Sequence, residues 1–412
     1  MSTPATPTSY LTLIRHKPGL LAIAFLAIFT GNLGQSFFIG MFQEPIAARL
    51  DISAGEFGSI YATVTLISGF LVLRFGPSVD WTSPRRYAVQ VLIGLLVGIG
   101  LLTLSPWWLG AAAGLLLVRL CGQGLFTHLG STLAGREFSQ LRGRALGLVG
   151  LGMPLGEMML PPLVALLLIA FAWQQVLWLI AGVLVILWLL LFIQLDWPDS
   201  PHKATTRAEK KAIRKTGPNP MRERRFWLLL PMLIALPVTM TGMFIYQAHM
   251  TRDLNASITA YALGLAAMGL ARLPGALLGG KWVDQFGVTM LARWNLLPFV
   301  LALLIGTLVG GDIGIWLILV GAGITMGMQG PTTDSLLVSL WGTEHLGRVR
   351  SVRSSFMVFS TAIAPVVLGF LIDFGTGFKP ILFGMLLFTC LAWLLALKPI
   401  RETAATKSET SP

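Results

Sequence analysis

The chain has 412 residues, 55% of them hydrophobic and 12% charged, with a net charge of +12 and a mean hydropathy of +0.75. Soluble domains carry about 25% charged residues, so this composition excludes a soluble enzyme or binding module and predicts an integral membrane protein. Apolar runs of about 20 residues recur along the chain, which calls for α-helical crossings and not for a β-barrel. The two cysteines, Cys121 and Cys390, lie in such runs and suggest neither a disulfide framework nor a metal site.

A polar start is followed by Arg15 and Lys17 and then by the first apolar run. That run continues into Asn32 and Gln35 without a small-residue cleavage site, so it reads as a retained helix and not as a signal peptide. Twelve crossings are predicted. The first six run roughly over 19–48, 55–75, 87–106, 109–134, 144–171 and 174–195. The second six run roughly over 226–250, 257–280, 289–309, 313–338, 350–373 and 379–397. Residues 1–197 then form an N-terminal six-helix bundle, and 226–412 a C-terminal bundle with a short polar tail. Between them, residues 198–225 carry nine Lys or Arg and read as a basic linker, its middle suited to an anionic membrane surface.

The basic residues orient the chain. With both termini and the linker inside, 25 of the 30 Lys and Arg are cytoplasmic; Arg49, Arg252 and Lys379 lie outside, and Arg119 and Arg272 fall within the membrane. This asymmetry predicts a multi-pass protein of the cell's inner (plasma) membrane with cytoplasmic termini. The positive charge is accounted for by topology, and no nucleic-acid partner is expected. The halves also repeat at an offset of 204: Gly76-Pro-Ser-Val-Asp80 returns as Gly280-Lys-Trp-Val-Asp284, Gly143-Arg144 as Gly347-Arg348, Pro161 as Pro365, and Leu50-Asp51 as Leu254-Asn255. One offset at four landmarks predicts two pseudo-symmetric six-helix bundles.

The stretch Gly76-Pro-Ser-Val-Asp80-Trp-Thr-Ser-Pro-Arg85-Arg86 resembles the signature loop between helices 2 and 3 of the major facilitator superfamily. Gly76, Asp80 and Arg85 fit that pattern, Trp81, Ser83 and Pro84 depart from it, and Arg86 restores a basic pair one place late. The resemblance implies the twelve-helix major facilitator fold and a gating or bracing role for Gly76, Asp80, Arg85, Arg86, Gly280 and Asp284. Physically, the glycines allow close helix approach, and Asp80 can cap the next helix. Gly147, Gly152, Gly156, Gly275 and Gly279 read as further close-packing positions. Arg142 to Pro162, and Ala271-Arg272-Leu-Pro-Gly275, look like helices 5 and 8 of the monocarboxylate porter and oxalate/formate antiporter group. That likeness implies a carboxylate contact for Arg272. Met268 stands where the porters have an aspartate, and 351–371 holds no lysine, so the substrate's identity is not carried over.

Candidate site residues follow from the cost of polarity in hydrocarbon. Arg272 lies in a stretch, 261–280, with no other charge. A charge there costs roughly 3 kcal/mol, and a guanidinium is suited to gripping a carboxylate. The alternative is that it ties helices together through backbone carbonyls. Arg119 resembles the arginine of a helix 4 motif of proton-driven facilitators, which implies coupling, bracing or substrate contact. If Arg119 and Arg272 faced one cavity, it would attract an anion. Glu157 and Asp334 are candidates to carry a proton, or else each pairs with an arginine; His128 is a third candidate. Asn32, Gln35, Tyr61, Tyr246, Gln247, Gln329 and Thr333 are candidates to line the path.

No phosphate-cradling loop, metal cluster or catalytic dyad stands in the sequence, so no enzyme activity, cofactor or metal is expected. The favoured reading is a monomeric secondary transporter of a small organic anion, by proton symport or by exchange. An efflux pump for amphiphiles such as drugs or siderophores, and a non-transporting sensor or scaffold, are the alternatives.

Overall fold

A computed structural model describes residues 14, 17–138, 142–198, 220–342 and 346–409, with Asp80, 142–143, 346–348, 351 and 403–409 described by backbone alone. The middle of the basic linker and the side chains of Asp80, Arg142 and Arg348 lie outside the described residues. Every regular element among the described residues is helical. Hydrocarbon offers no hydrogen-bond partners, and a helix satisfies its backbone within one segment.

Among the described residues, eleven helices are long and apolar enough to cross a membrane: Ala54–Val79, Pro84–Leu104, Trp108–Glu137, Arg144–Ala170, Trp173–Gln194, Arg224–Ile245, Ile258–Phe286, Val288–Val309, Gly311–Trp341, Val352–Asp373 and Phe378–Glu402. The shorter apolar stretch Pro18–Gly34 precedes them and makes crossing 1 of twelve, the all-α fold expected. Crossing 1 is not the single run expected over 19–48. Helix Pro18–Gly31 gives way to a 3-10 turn, Asn32–Gly34, then to Gln35 in extended conformation (φ −79°, ψ 152°). Two short helices follow, Ser36–Gly40 and Gln43–Leu50. The break has a local cause. Gly31 and Gly34 each weaken a helix by about 1 kcal/mol relative to alanine, and Asn32 Nδ2 turns back to donate to Phe29 O at 2.9 Å.

The chain divides into two compact units, residues 1–45 with 63–204, and residues 46–62 with 205–412. In the first, crossing 1 packs on crossings 4 and 5, and crossing 3 packs on crossing 4. Two of its indoles find hydroxyl partners: Nε1 of the buried Trp188 donates to Thr30 Oγ1 at 3.0 Å, and Nε1 of the exposed Trp178 to Thr103 Oγ1 at 3.1 Å. In the second, crossing 8 lies along crossing 10, and crossing 7 packs on crossings 11 and 12. The contact between crossings 8 and 10 is backbone on backbone. A Cβ added at Gly323 would stand 2.3 Å from Met268 O, and one at Gly327 2.3 Å from Arg272 O.

The repeat is visible in single atoms. Asp51 and Asn255, 204 apart, are the non-glycine residues with positive φ among the described residues, at 52° and 54°; Asp and Asn tolerate that region best. Just beyond them, Ile52 N donates to Ala47 O and Ala256 N to Thr251 O, again 204 apart. Ser53 Oγ then caps crossing 2 by accepting from Glu56 N at 3.1 Å, as Ser257 Oγ caps crossing 8 by accepting from Ala260 N at 3.0 Å.

Several expectations need correction. Gly147 and Gly280 are not close-packing positions: both are exposed, and among the described residues no heavy atom lies within 4 Å of a Cβ added at either. Gly152, Gly156, Gly275 and Gly279 do stand against neighbouring helices. The signature stretch Gly76–Asp80 is a 3-10 turn, and the residue that caps crossing 3 is Ser83, whose Oγ accepts from Arg86 N at 3.4 Å. Its second copy, Gly280 to Asp284, is no loop. The helix Ile258–Phe286 runs through it and ends at Gly287, whose φ of 78° favours glycine.

Candidate functional site

In the first unit, two irregular segments meet. Crossing 4 contains a π-helical stretch, Arg119–Phe126, which includes Gly122 and Gly124. Such stretches are rare and frequently stand at functional sites. It packs against the break in crossing 1 at glycine-only distances. A Cβ at Gly122 would be 2.7 Å from Gly34 N, and one at Gly34 would be 2.4 Å from Gln123 N. Arg119 is buried here, and its Nη1 donates to Gly34 O at 3.3 Å. The guanidinium thus takes up a carbonyl at the interruption of crossing 1.

Asn32 joins the same junction. Its Nδ2 donates to Phe29 O and to Gly152 O of crossing 5, at 2.9 and 3.0 Å, while its buried Oδ1 has no hydrogen-bond partner among the described residues. Crossing 5 comes this close because Gly156 has no side chain; a Cβ there would stand 2.0 Å from Asn32 Nδ2. The next residue, Glu157, is buried, and Gln35 is half-buried just after the break. Asn32, Gln35, Arg119 and the Gly152–Gly156 stretch of crossing 5 are therefore gathered around one interruption, and Glu157 is the residue that follows that stretch. His128 is not part of it. The imidazole lies beside Gly76, its Cδ2 3.6 Å from where a Cβ would stand.

In the second unit, Arg272 is half-buried in crossing 8, and its carbonyl lies over Gly327 of crossing 10. Gln329 Nε2 of crossing 10 reaches Leu233 O of crossing 7 at 3.5 Å. Thr333 is buried, as are Thr325 and Thr332, whose Oγ1 atoms have no hydrogen-bond partner among the described residues. Thr325 was not a sequence candidate. Its spacing of four and seven from Gln329 and Thr332 puts all three on one helix face, a signal that periodicity could have supplied.

Other candidates lie elsewhere. Asp334 is half-exposed and paired with Arg350, Oδ2 to Nη2 at 2.8 Å and Oδ1 to Nε at 3.2 Å. Of its two sequence readings, the ion pair is the one observed. The buried Tyr246 hydroxyl lies 2.8 Å from Ala54 O and 2.6 Å from Pro365 O and donates to one or the other. Gln247 Nε2 donates to Phe244 O at 3.1 Å, and Tyr61 is buried against Phe57, their ring centroids 6.4 Å apart. Arg85, Arg86 and Asp284 are exposed near helix ends.

Comparison with known proteins bears on the whole chain. The family model of the Major Facilitator Superfamily matches residues 24–249 and again residues 227–412. Monocarboxylate transporter 13 of Bos taurus is 27% identical over 337 residues, which cover 77% of this chain and 73% of that protein. Among solved structures, a bacterial homologue of the human lysosomal transporter Spinster, inward-facing and unoccupied, superimposes with a TM-score of 0.70 at 14% identity, covering 94% of this chain and 98% of the other. A D-xylose–proton symporter superimposes with a TM-score of 0.65, also at 14% identity, covering 95% and 97%. These likenesses to solved structures concern the fold alone.

Proposed function

The chain belongs to the Major Facilitator Superfamily and is a membrane transporter, not an enzyme, and from that premise we propose that it carries a small organic anion of the carboxylate type by secondary, alternating-access transport. The observation that carries this reading is Arg272. It is the one charge between Ile258 and Gly280 of crossing 8, and it is half-buried, not extended into solvent. A cation held in hydrocarbon at a cost of roughly 3 kcal/mol is stabilised when an anion visits, and the guanidinium's planar fork matches a carboxylate's two oxygens. The relative named a monocarboxylate transporter supports the same substrate class.

In this mechanism the anion neutralises Arg272, and the two units rock around it. The junction of Asn32, Arg119 and Glu157 serves coupling. Glu157, buried beside the interruption of crossing 1, takes a proton with the anion and releases it afterwards. The excess of basic residues in the linker and in loops on one side supports cytoplasmic termini in a plasma membrane.

The test is the melting temperature of purified protein against mono-, di- and tricarboxylates. A ligand that binds only the folded state at a hundred times its Kd adds about 2.7 kcal/mol of stability, so one of these classes has to raise the melting temperature. A rise with amphiphilic cations and with no carboxylate would overturn the anion reading. One observation favours that second reading, export of amphiphiles. Crossings 7, 11 and 12 enclose a groove of about 550 Å³ whose lining, including Val238, Ile363, Val367, Leu371 and Met385, is almost wholly apolar.

A further inference from the structure

Crossings 9 and 12 pack on one another within the second unit. At the membrane face where crossing 9 begins and crossing 12 ends lies a cation that the transport reading leaves unused. Arg293 stands in the second turn of crossing 9, which starts at Val288. It is half-buried, and its enclosed Nε has no hydrogen-bond partner among the described residues. No carboxylate pairs with it among those residues either. A guanidinium keeps its proton and offers five N–H donors, and an enclosed donor without an acceptor is costly. An acceptor from outside the chain would satisfy it.

Two indoles frame this arginine. Trp393 of crossing 12 donates from Nε1 to Arg293 O, and the rings of Trp294 and Trp393 lie 6.2 Å apart at 51°. Trp294 is 45% exposed. Tryptophan, apolar with one polar end, settles where hydrocarbon meets headgroups, which sets Arg293 near the depth of lipid phosphates. An interfacial arginine ordinarily carries its whole head out into water, whereas the Nε of Arg293 is enclosed.

Exposed apolar faces run from this point into the membrane. On crossing 9, Leu301, Ile305 and Leu308 continue the face of Trp294. At 1.5 Å per residue they extend it by about 21 Å, more than half of a hydrocarbon core about 30 Å thick. On crossing 12, Phe383, Leu387 and Leu394 share a face that ends in Arg401, exposed as is Lys398. The internal repeat does not impose the cluster. The counterparts of Arg293, Trp294 and Trp393 at the 204 offset are Val89, Gln90 and Leu189, and crossings 3 and 6 pack on one another without them.

We propose that Arg293, Trp294 and Trp393 form a binding site for an anionic phospholipid. The headgroup phosphate accepts from the Arg293 guanidinium, the indoles flank it, and the acyl chains lie along the exposed faces of crossings 9 and 12. Lys398 and Arg401, nearer the membrane surface, add attraction for a headgroup of net negative charge. The site is independent of the cargo and stands whether or not a carboxylate is carried.

The experiment titrates delipidated protein in a neutral detergent with dioleoyl-phosphatidylglycerol and, separately, with dioleoyl-phosphatidylcholine. Native mass spectrometry counts bound lipid, and melting curves report stabilisation. The parent is expected to bind phosphatidylglycerol about tenfold more tightly than phosphatidylcholine and to melt higher with it. Arg293→Gln is expected to bind phosphatidylglycerol about tenfold more weakly, the factor that ~1.4 kcal/mol gives, with phosphatidylcholine binding unchanged. Arg293→Lys, which keeps the charge, falls between the two. Should Arg293→Gln fail to fold, Trp294→Leu, a change at an exposed position, carries the test and is expected to weaken phosphatidylglycerol binding several-fold. Equal binding of the two lipids by the parent overturns the proposal, as does phosphatidylglycerol affinity unchanged in the folded variants. Displacement of phosphatidylglycerol by an equal concentration of glycerol 3-phosphate also overturns it, because the site would then take a free phosphate ester and not a lipid.

Discussion

Replacing Gly34 with alanine probes the junction around Arg119, and the size of the effect follows from the geometry. The added Cβ would stand 2.4 Å from Gln123 N and 2.8 Å from Val118 O, against 3.4 Å or more for ordinary contact. Both partners are backbone atoms of crossing 4, so no flexible side chain can swing away. Crossings 1 and 4 have to part by about 1 Å, an overpacking that costs roughly 1–3 kcal/mol. The same separation lengthens the hydrogen bond from Arg119 Nη1 to Gly34 O beyond its present 3.3 Å, and losing it costs about 1 kcal/mol more. The control is Gly147→Ala, where no heavy atom lies within 4 Å among the described residues and alanine favours the helix by about 1 kcal/mol. Thermal melting of the purified variants in one detergent should therefore place Gly34→Ala well below the parent protein and Gly147→Ala at or above it. If Gly34→Ala melts with the parent, the backbone contact between the break and the π segment is not what holds this junction, and the reasoning fails.

Three other outcomes are expected. Glu157→Gln should cut uptake driven by an imposed pH gradient by about tenfold or more in proteoliposomes while leaving substrate exchange, since an amide cannot carry the proton; unchanged gradient-driven uptake would remove Glu157 from coupling. Asp334→Asn should change stability by less than about 1 kcal/mol, because the side chains of Asp334 and Arg350 are 47% and 45% exposed; a large fall in melting temperature would show the pair to be shielded. Asn255→Gly should be nearly neutral and Asn255→Val should destabilise by about 1–2 kcal/mol, because the φ of 54° is open to glycine and closed to a β-branched residue; melting of the two variants side by side checks the order.

What the sequence makes legible is what depends on local chemistry or on repetition. The 204 offset marks Asp51 and Asn255 before any coordinates, and both adopt the same left-handed turn. Arg272 is marked by its isolation in an apolar run, because a charge in hydrocarbon is costly unless it is paired or reaches water. Contacts between distant segments are much less legible. Asp373 reads as an ordinary helix-end carboxylate until crossing 2 is brought against it, and Tyr246 reads as a path-lining hydroxyl until Ala54 and Pro365 take it up. The break at Asn32–Gly34 and the π stretch from Arg119 to Phe126 are each within reach of glycine spacing, but only their packing against one another explains why both persist. Gly147 and Gly280 err the other way: a glycine permits close approach without requiring it.

Transport by this mechanism depends on Arg272 receiving an anion. The measurement that tests it most directly is calorimetric titration of a small monocarboxylate into purified protein, with Arg272→Gln and Arg272→Lys beside the parent. Loss of a bidentate, charge-assisted pair predicts affinity about a hundredfold weaker in Arg272→Gln, with Arg272→Lys between the two because a lysine keeps the charge but not the fork. Equal affinity in all three proteins, each folded by its melting curve, would mean that the guanidinium only joins helices and that the carboxylate binds elsewhere.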